Sequence, residues 1–267
     1  MKLAILGAGR MGATILRMLG KDSRSGWQVE VCEPDAKGRE ALSKETGPTV
    51  KFFGHVDELG EAEVILLAVK PAMLKEVSGW LQARKSPYLL ISILAGITTE
   101  KLVKEAGSRA RVVRAMPNQA LRSGEGVTAL CAGPAAQKTD METARKIFAL
   151  GGYVLEIEEK QMDVVTALSG SGPAFMAKWT EELADAAIRA GLLPAAAEEL
   201  AARTMLGTGT LLVKEGIKPG ELCAAVASPG GTTEAGLRSL QAGGLGGLAE
   251  QAMEAAIRRA KELATGG

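Results

Sequence analysis

Gly7-Ala8-Gly9-Arg10-Met11-Gly12 is the first group of residues in this 267-residue chain with the spacing to do chemistry. It follows an apolar run, Lys2 to Leu6, and opens an amphipathic stretch. In that setting Gly7 permits a tight turn, Gly9 lets a pyrophosphate approach bare backbone, and Gly12 lets helix and strand pack closely. The helix start supplies unpaired N–H groups and a positive partial charge. Leu6, Gly7, Gly9, Arg10, Met11 and Gly12 are therefore expected to hold a dinucleotide. Glu33, 21 residues after Gly12, ends the next strand. A carboxylate there accepts from ribose hydroxyls and repels a 2′-phosphate. Lys37 and Arg39 lie close by, so the sequence leans to NADH and leaves NADPH open.

Three further segments end strands where open parallel sheets bind ligands. Ala68-Val69-Lys70-Pro71 and Ala95-Gly96 offer small residues and bare backbone to a ribose and nicotinamide. Pro71 equally serves as a helix-starting proline. Met116-Pro117-Asn118 places an amide able to donate and accept at a third strand end, so Asn118 joins the expected cofactor contacts.

Two motifs sit in the helical half. Ser169-Gly170-Ser171-Gly172-Pro173 interrupts a helical stretch, where glycine costs about 1 kcal/mol and proline about 3 kcal/mol. Close helix crossing offsets that cost, and so does a ligand meeting backbone and hydroxyls; the residues do not choose between them. Ser228-Pro229-Gly230-Gly231-Thr232-Thr233-Glu234 is a loop feeding a helix, with Thr232 or Thr233 as N-cap. Its exposed N–H groups are a ready carboxylate site. The single histidine, His55, rules out a multi-histidine metal centre and reads as a solvated side chain after a strand. Cys32, Cys131 and Cys223 are too scattered for a zinc pattern or disulfide framework, which fits a reducing cytoplasm, and no metal is expected.

The elements that must position these groups follow from periodicity. Lys2–Leu6, Gln28–Cys32, Val50–Phe53, Val64–Val69, Tyr88–Leu94 and Arg111–Met116 read as strands, alternating with helical stretches such as Met11–Leu19 and Lys37–Thr46. Repeated strand–helix alternation implies right-handed crossovers and a mostly parallel sheet. After Tyr153-Val154-Leu155 only helical patterns remain: Glu159–Ala190, Pro194–Glu215, Gly220–Ala227, Thr232–Leu240 and Leu248–Ala264. The expectation is an α/β Rossmann-type domain over residues 1–157 followed by an all-α domain over 158–267. The closing Gly-Gly reads as a frayed end.

Composition excludes other classes. With 32 basic and 31 acidic residues the chain has no long-range field to gather nucleic acid or an anionic membrane. No apolar run reaches the roughly 18 residues of a membrane span, and the N-terminal run is too short for a signal peptide. Glycine is abundant, at 33 residues, and aromatics make up only 3%. The helical half carries more Ala, Gly and Leu than one small core needs, which suggests subunit contacts.

Ala167 to Phe175, together with Ala227 to Thr233, resembles the pyrroline-5-carboxylate reductase family. The order of Gly7–Gly12, Ala68–Pro71, Arg114-Ala115-Met116-Pro117-Asn118 and the two helical motifs matches that family over nearly the whole chain. The resemblance implies a cytoplasmic enzyme that reduces 1-pyrroline-5-carboxylate to L-proline with NADPH or NADH, the last step of proline biosynthesis. It also implies a helical dimerisation domain, an interlocked homodimer and often a decamer. Departures are Gln119-Ala120, where the family has Thr-Pro; Cys223-Ala224, where it often has Lys-Asp; and Ala227, where cysteine is common. They leave open a relative tuned to another cyclic imine.

A protonated imine is already electrophilic, so such an enzyme needs mainly positioning and a modest proton route. We expect the N–H groups of Gly230, Gly231 and Thr232 to hold the substrate carboxylate. Thr233 is the expected catalytic residue, bonding the ring nitrogen or a water beside it, and Ser171 and Gly172 line the pocket. A 3-hydroxyacid dehydrogenase, the alternative enzyme, would need a basic residue, and Lys178 is the one near the Ser-Gly-Ser-Gly segment.

Overall fold

A computed structural model describes residues 1–21, 26–46 and 49–265; the C-terminal Gly-Gly expected to fray lies outside them. Eight strands form one sheet: β1 (Lys2–Leu6), β2 (Gln28–Cys32), β3 (Val50–Phe53), β4 (Val64–Leu67), β5 (Tyr88–Ser92), β6 (Ala110–Pro117), β7 (Gly126–Ala132) and β8 (Gly152–Glu156). Their order is β3-β2-β1-β4-β5-β6-β7-β8, and every pairing is parallel except β6 with β7. Chain order reverses direction between β1 and β4. That crevice, at the carboxyl ends of the strands, is where a doubly wound sheet takes a ligand.

Helices α1 (Arg10–Lys21), α2 (Ala36–Glu45), α3 (Leu74–Gln82), α4 (Thr99–Ala106) and α5 (Lys138–Ala149) connect the strands. The side chains of the central strands β1, β4 and β5 are buried on both faces, which is why these strands are nearly continuous apolar runs. Ile5, Leu66, Val113 and Leu130 pack with Ile15, Leu16 and Phe148 on one face. Leu6, Leu67 and Leu90 pack with Trp80, Leu81 and Leu102 on the other.

The remaining helices are α6 (Met162–Val165), α7 (Gly172–Arg189), α8 (Pro194–Lys214), α9 (Pro219–Val226), α10 (Thr232–Ala242) and α11 (Leu245–Thr265). Between α6 and α7 the chain makes a wider π turn over Thr166–Gly170, closed by Ser171 N–H on the Thr166 carbonyl, five residues back, at 2.9 Å. Two compact units result: residues up to Ser171 joined by the end of α11 from Ala256, and residues Gly172–Ala255.

Sequence and structure differ at identifiable places. β7 carries no long β-branched run; Gly126, Ala129 and Ala132 mask it, yet its ladder to β6 from Val113–Ala132 to Pro117–Thr128 is complete. The strands expected to reach Val69 and Leu94 stop at Leu67 and Ser92. Gly246 and Gly247 belong to the first turn of α11, so the turn before it is only Gly243-Gly244.

Candidate active site

The carboxyl edge of the sheet is built by hydrogen bonds that continue the strand register one residue further. Gly7 N–H donates to the Cys32 carbonyl at 2.9 Å, Ala68 N–H to Leu6 at 2.8 Å, and Glu33 N–H to Phe53 at 3.0 Å. These bonds set the glycine turn, Glu33 and Ala68 side by side.

The three glycines of the turn have different reasons. Gly7 has φ +90°, and a Cβ there would sit 2.8 Å from the Ala68 carbonyl oxygen. A Cβ on Gly12 would come within 2.3 Å of the Gly7 carbonyl oxygen. Both are required by the protein's own packing. Around a Cβ on Gly9 there is nothing within 4 Å. Gly9 caps α1 by accepting from Ala13 N–H at 2.8 Å, so the N–H groups of Arg10, Met11 and Gly12 have no helical acceptor. Open space over unpaired donors at a helix start fits a pyrophosphate.

Glu33 completes this edge. Its carboxylate accepts from Ala8 N–H at 2.7 Å and Asp35 N–H at 3.0 Å, so it is fastened to the glycine turn itself. Arg39, which could have answered a 2′-phosphate, donates Nη1 to the carbonyls of Glu33 (2.6 Å) and Pro34 (2.8 Å). Lys37 is exposed. Burial, then the carboxylates of Glu33 and Glu58, push the neighbouring Cys32 thiol up to about 11, so it stays a neutral packing group. His55 lies exposed beyond β3, its N–H on the Glu58 carboxylate at 3.0 Å.

Ala68 and Val69 are half-buried, Lys70 is exposed, and Pro71 opens a single 3₁₀ turn. Ala95 is half-buried before Gly96, which has φ +73°. Asn118, expected among the cofactor contacts, is held within the protein at both ends of its amide. It is only 7% exposed, and its Oδ1 accepts from Ala120 N–H at 3.2 Å and Val127 N–H at 3.1 Å. Its Nδ2 donates to the Ser169 carbonyl at 3.1 Å. The side chain is committed to the protein.

Gly170 and Gly172 divide the two explanations open for the Ser-Gly-Ser-Gly segment. A Cβ on Gly170 would meet the Met116 ε-methyl at 2.8 Å, a close contact with the movable end of a side chain, whereas nothing lies within 4 Å of one on Gly172. Ser169 Oγ turns back to the Val165 carbonyl at 3.1 Å. Ser171 follows the π turn, half-buried. Such turns are frequent at functional sites.

Arg114 and Glu159 are residues that sequence reasoning left without a role. Arg114 is 3% exposed and its Nη1 pairs with Glu159 Oε1. Glu159 Oε2 accepts from Thr99 N–H at 3.1 Å, while Arg114 Nη2 has no partner among the described residues. Burial works to raise the Glu159 pKa, but the Thr99 hydrogen bond and the Arg114 charge override it and hold the carboxyl below the usual range. Cys131 lies against the same carboxylate, at 3.7 Å, and burial followed by Glu159 pushes its thiol up to about 11.

In the second compact unit, the loop before α10 corrects the expected cap. Gly231, not Thr232 or Thr233, is the N-cap, and the two threonines occupy the first helical positions. Gly230 has φ +72°; its N–H donates to Glu234 Oε2 at 2.6 Å, and Gly231 N–H to the Ser228 carbonyl at 3.0 Å. The helix start thus leaves the N–H groups of Thr232, Thr233 and Glu234 without a helical acceptor. Thr233 is half-buried and Thr232 exposed. Lys178 is hydrogen-bonded by Glu181 and Glu182, which raise its pKa, so it offers no free amine as a base. Among the described residues no three His, Cys, Asp or Glu side chains gather as a metal site, and no helix is long and apolar enough to cross a membrane.

Comparison with known proteins agrees over the full length. Residues 159–263 match the family model for pyrroline-5-carboxylate reductase dimerisation, and residues 2–96 match that for NADP oxidoreductase, coenzyme F420-dependent. A pyrroline-5-carboxylate reductase of Synechocystis sp. is 37% identical over 263 residues, 98% of each chain. The solved structure of one from Coxiella burnetii superposes with TM-score 0.88 at 32% identity, covering 98% of this chain and 97% of that one. The Plasmodium falciparum enzyme, solved with NADP bound, gives TM-score 0.83 at 29% identity over 98% of both chains. With its glycine turn, its Ser228–Thr233 helix start and this full-length likeness, the chain belongs to the pyrroline-5-carboxylate reductase family.

Proposed function

We propose that the glycine turn and the α10 helix start divide the work of reducing 1-pyrroline-5-carboxylate to L-proline, the last step of proline biosynthesis. The observation that carries this reading is the presence of both motifs, each in its strand–turn–helix or loop–helix setting, in a chain spanning 98% of its relative. The enzyme is an oxidoreductase acting on a C=N bond, and a bound NADH or NADPH supplies the hydride.

The chain's own residues bind and orient. The free N–H groups at Arg10, Met11 and Gly12, below the open face of Gly9, take the pyrophosphate; Leu6 and Gly7 shape the turn. Glu33 takes the adenosine ribose, and the tethering of Arg39 supports a preference for NADH. Ala68, Val69, Lys70, Pro71 and Ala95 line the rest of the dinucleotide. At α10 the Thr232 and Thr233 N–H groups hold the substrate carboxylate. Gly230 joins them when the Glu234 carboxylate swings off its N–H, and Gly231 serves by capping the helix. The Thr233 hydroxyl bonds the ring nitrogen or a water beside it, and Ser171 and Gly172 complete the substrate contacts. No side chain here needs to be a strong base, which suits a protein with one exposed histidine.

Residues 158–267 serve as the substrate-binding and dimerisation half, supported by the family match to 159–263. Leu193, Leu206 and Val213 are each more than 60% exposed, and an apolar groove of about 390 Å³ between α7 and α8 is lined by Trp179, Leu183, Leu200 and Met205. These surfaces support a homodimer, with a decamer built from dimers as its larger form. The unpaired cysteines support a cytoplasmic setting. The test is Thr233→Ala: kcat/KM for the imine falls at least about tenfold, roughly 1.4 kcal/mol of transition-state stabilisation. Wild-type kinetics in that variant would remove Thr233 from the site.

A further inference from the structure

β6 holds the segment leading into the helical half at both ends. Arg114, Met116 and Asn118 alternate along extended backbone and so share one face of the sheet. Arg114 grips Glu159 at the start of the segment. Met116 fills the space that a side chain on Gly170 would need. Asn118 grips the Ser169 carbonyl inside the π turn.

The grip on Ser169 answers a deficit written into the sequence. A helical carbonyl at Ser169 would accept from the N–H four residues on, which is Pro173, and proline has none. Asn118 Nδ2 supplies the missing donor from 51 positions away in the chain. Its own orientation is fixed, because two backbone N–H groups hold Oδ1. Arg114 is nearly sealed from solvent, and the Thr99 N–H fixes its partner Glu159 from a second side.

We propose that Arg114 and Asn118 are positioning residues for imine reduction: through Glu159 and the Ser169 carbonyl they clamp the π turn that presents Ser171 and Gly172. This rests on the substrate contacts proposed for those two residues. Asn118 acts through its donor hydrogen, whereas its acceptor oxygen serves only the fold.

Asn118→Asp separates the two functions, since a carboxylate still accepts from Ala120 and Val127 but cannot donate to Ser169. The expected result is amide hydrogen exchange over residues 166–172 faster by roughly tenfold and a KM for 1-pyrroline-5-carboxylate raised by a similar factor. The dissociation constant for NADH, measured by calorimetry, stays within about twofold of wild type. Unchanged exchange and unchanged imine KM would overturn the clamp. So would a joint loss of imine and nucleotide affinity, which would make Asn118 a cofactor contact or a general fold determinant. Arg114→Lys and Arg114→Met give a second test should the first variant misfold. Lysine, still able to pair with Glu159, restores slow exchange at 166–172 and methionine does not; equal behaviour of the two overturns the Arg114 half. A wild-type enzyme inert toward the imine would defeat the substrate reading alone, because the exchange measurement stands without turnover.

Discussion

Gly9 and Gly12 belong to one motif, yet replacing each with alanine tests a different thing. The methyl group of Gly12→Ala would lie 2.3 Å from the Gly7 carbonyl oxygen and 3.3 Å from Ala68 Cβ. The first of these is backbone, so either α1 lifts from the sheet or the turn deforms. Overpacking of this kind costs about 1–3 kcal/mol, against up to about 1 kcal/mol gained from alanine's helix preference. A clash of 2.3 Å with backbone falls at the upper end of that range, leaving about 2 kcal/mol net. At about 2–4 °C per kcal/mol for a domain of this size, Gly12→Ala lowers the thermal midpoint by roughly 4–8 °C. Gly9→Ala places its methyl in open space and needs no left-handed backbone. Its midpoint falls by only about 1–4 °C, the cost of alanine in place of glycine at a helix cap, while the Kd for dinucleotide rises at least about tenfold, some 1.4 kcal/mol. Scanning calorimetry of the apo proteins and titration with NADH and NADPH read both quantities. Unaltered nucleotide affinity in Gly9→Ala would refute the claim that the open face over Gly9 is a pyrophosphate site. An unaltered midpoint in Gly12→Ala would refute the packing account.

Glu33→Gln keeps an acceptor for Ala8 N–H and removes the charge. Two unit repulsions of about 1 kcal/mol each at ~4 Å in water make the NADPH-to-NADH ratio of kcat/KM rise roughly thirtyfold; an unchanged ratio would show that Glu33 does not select the cofactor. The Glu159 carboxyl titrates below its ordinary value of 4.5 in the folded protein. Its contribution to stability is therefore complete above that value and fades as pH falls through the lower, folded one. Glu159→Gln should lose stability at neutral pH and show a shallower decline below pH 4.5 in denaturant titrations; parallel curves for the two proteins would contradict the Arg114 pairing.

Much of this was legible in the residues. β1, β4 and β5 declare themselves because buried parallel strands must be apolar on both faces. β2 and β6 show through despite Glu30, Arg111 and Arg114 because of their valines, and the glycine turn is local chemistry at the end of the first strand. What stayed hidden depends on distant partners. β7 mixes Gly126, Ala129 and Ala132 with Val127, Thr128 and Leu130 and becomes a strand by pairing with β6 on one side and β8 on the other. For Asn118 the partners of the amide oxygen, the Ala120 and Val127 N–H groups, are near in sequence, whereas the acceptor for Nδ2 is the distant Ser169 carbonyl that Pro173 leaves without a helical donor. Arg114 looked like a motif residue without a task until Glu159 and Thr99 were brought to it. The cap of α10 shifted to Gly231 because the Glu234 carboxylate and the Ser228 carbonyl take the loop's N–H groups first. The end of the first compact unit at Ser171 follows from the same ties, since Glu159 and Ser169 are both fastened to β6 or the residue after it.

The most direct test of the whole account is turnover. Purified protein, given 1-pyrroline-5-carboxylate with NADH or NADPH, is followed at the nicotinamide absorbance with proline measured as product. The account predicts stoichiometric proline, higher kcat/KM with NADH than with NADPH, and little or no oxidation with 3-hydroxyacids or their keto forms. No proline from either cofactor, or faster turnover of another cyclic imine, would contradict it.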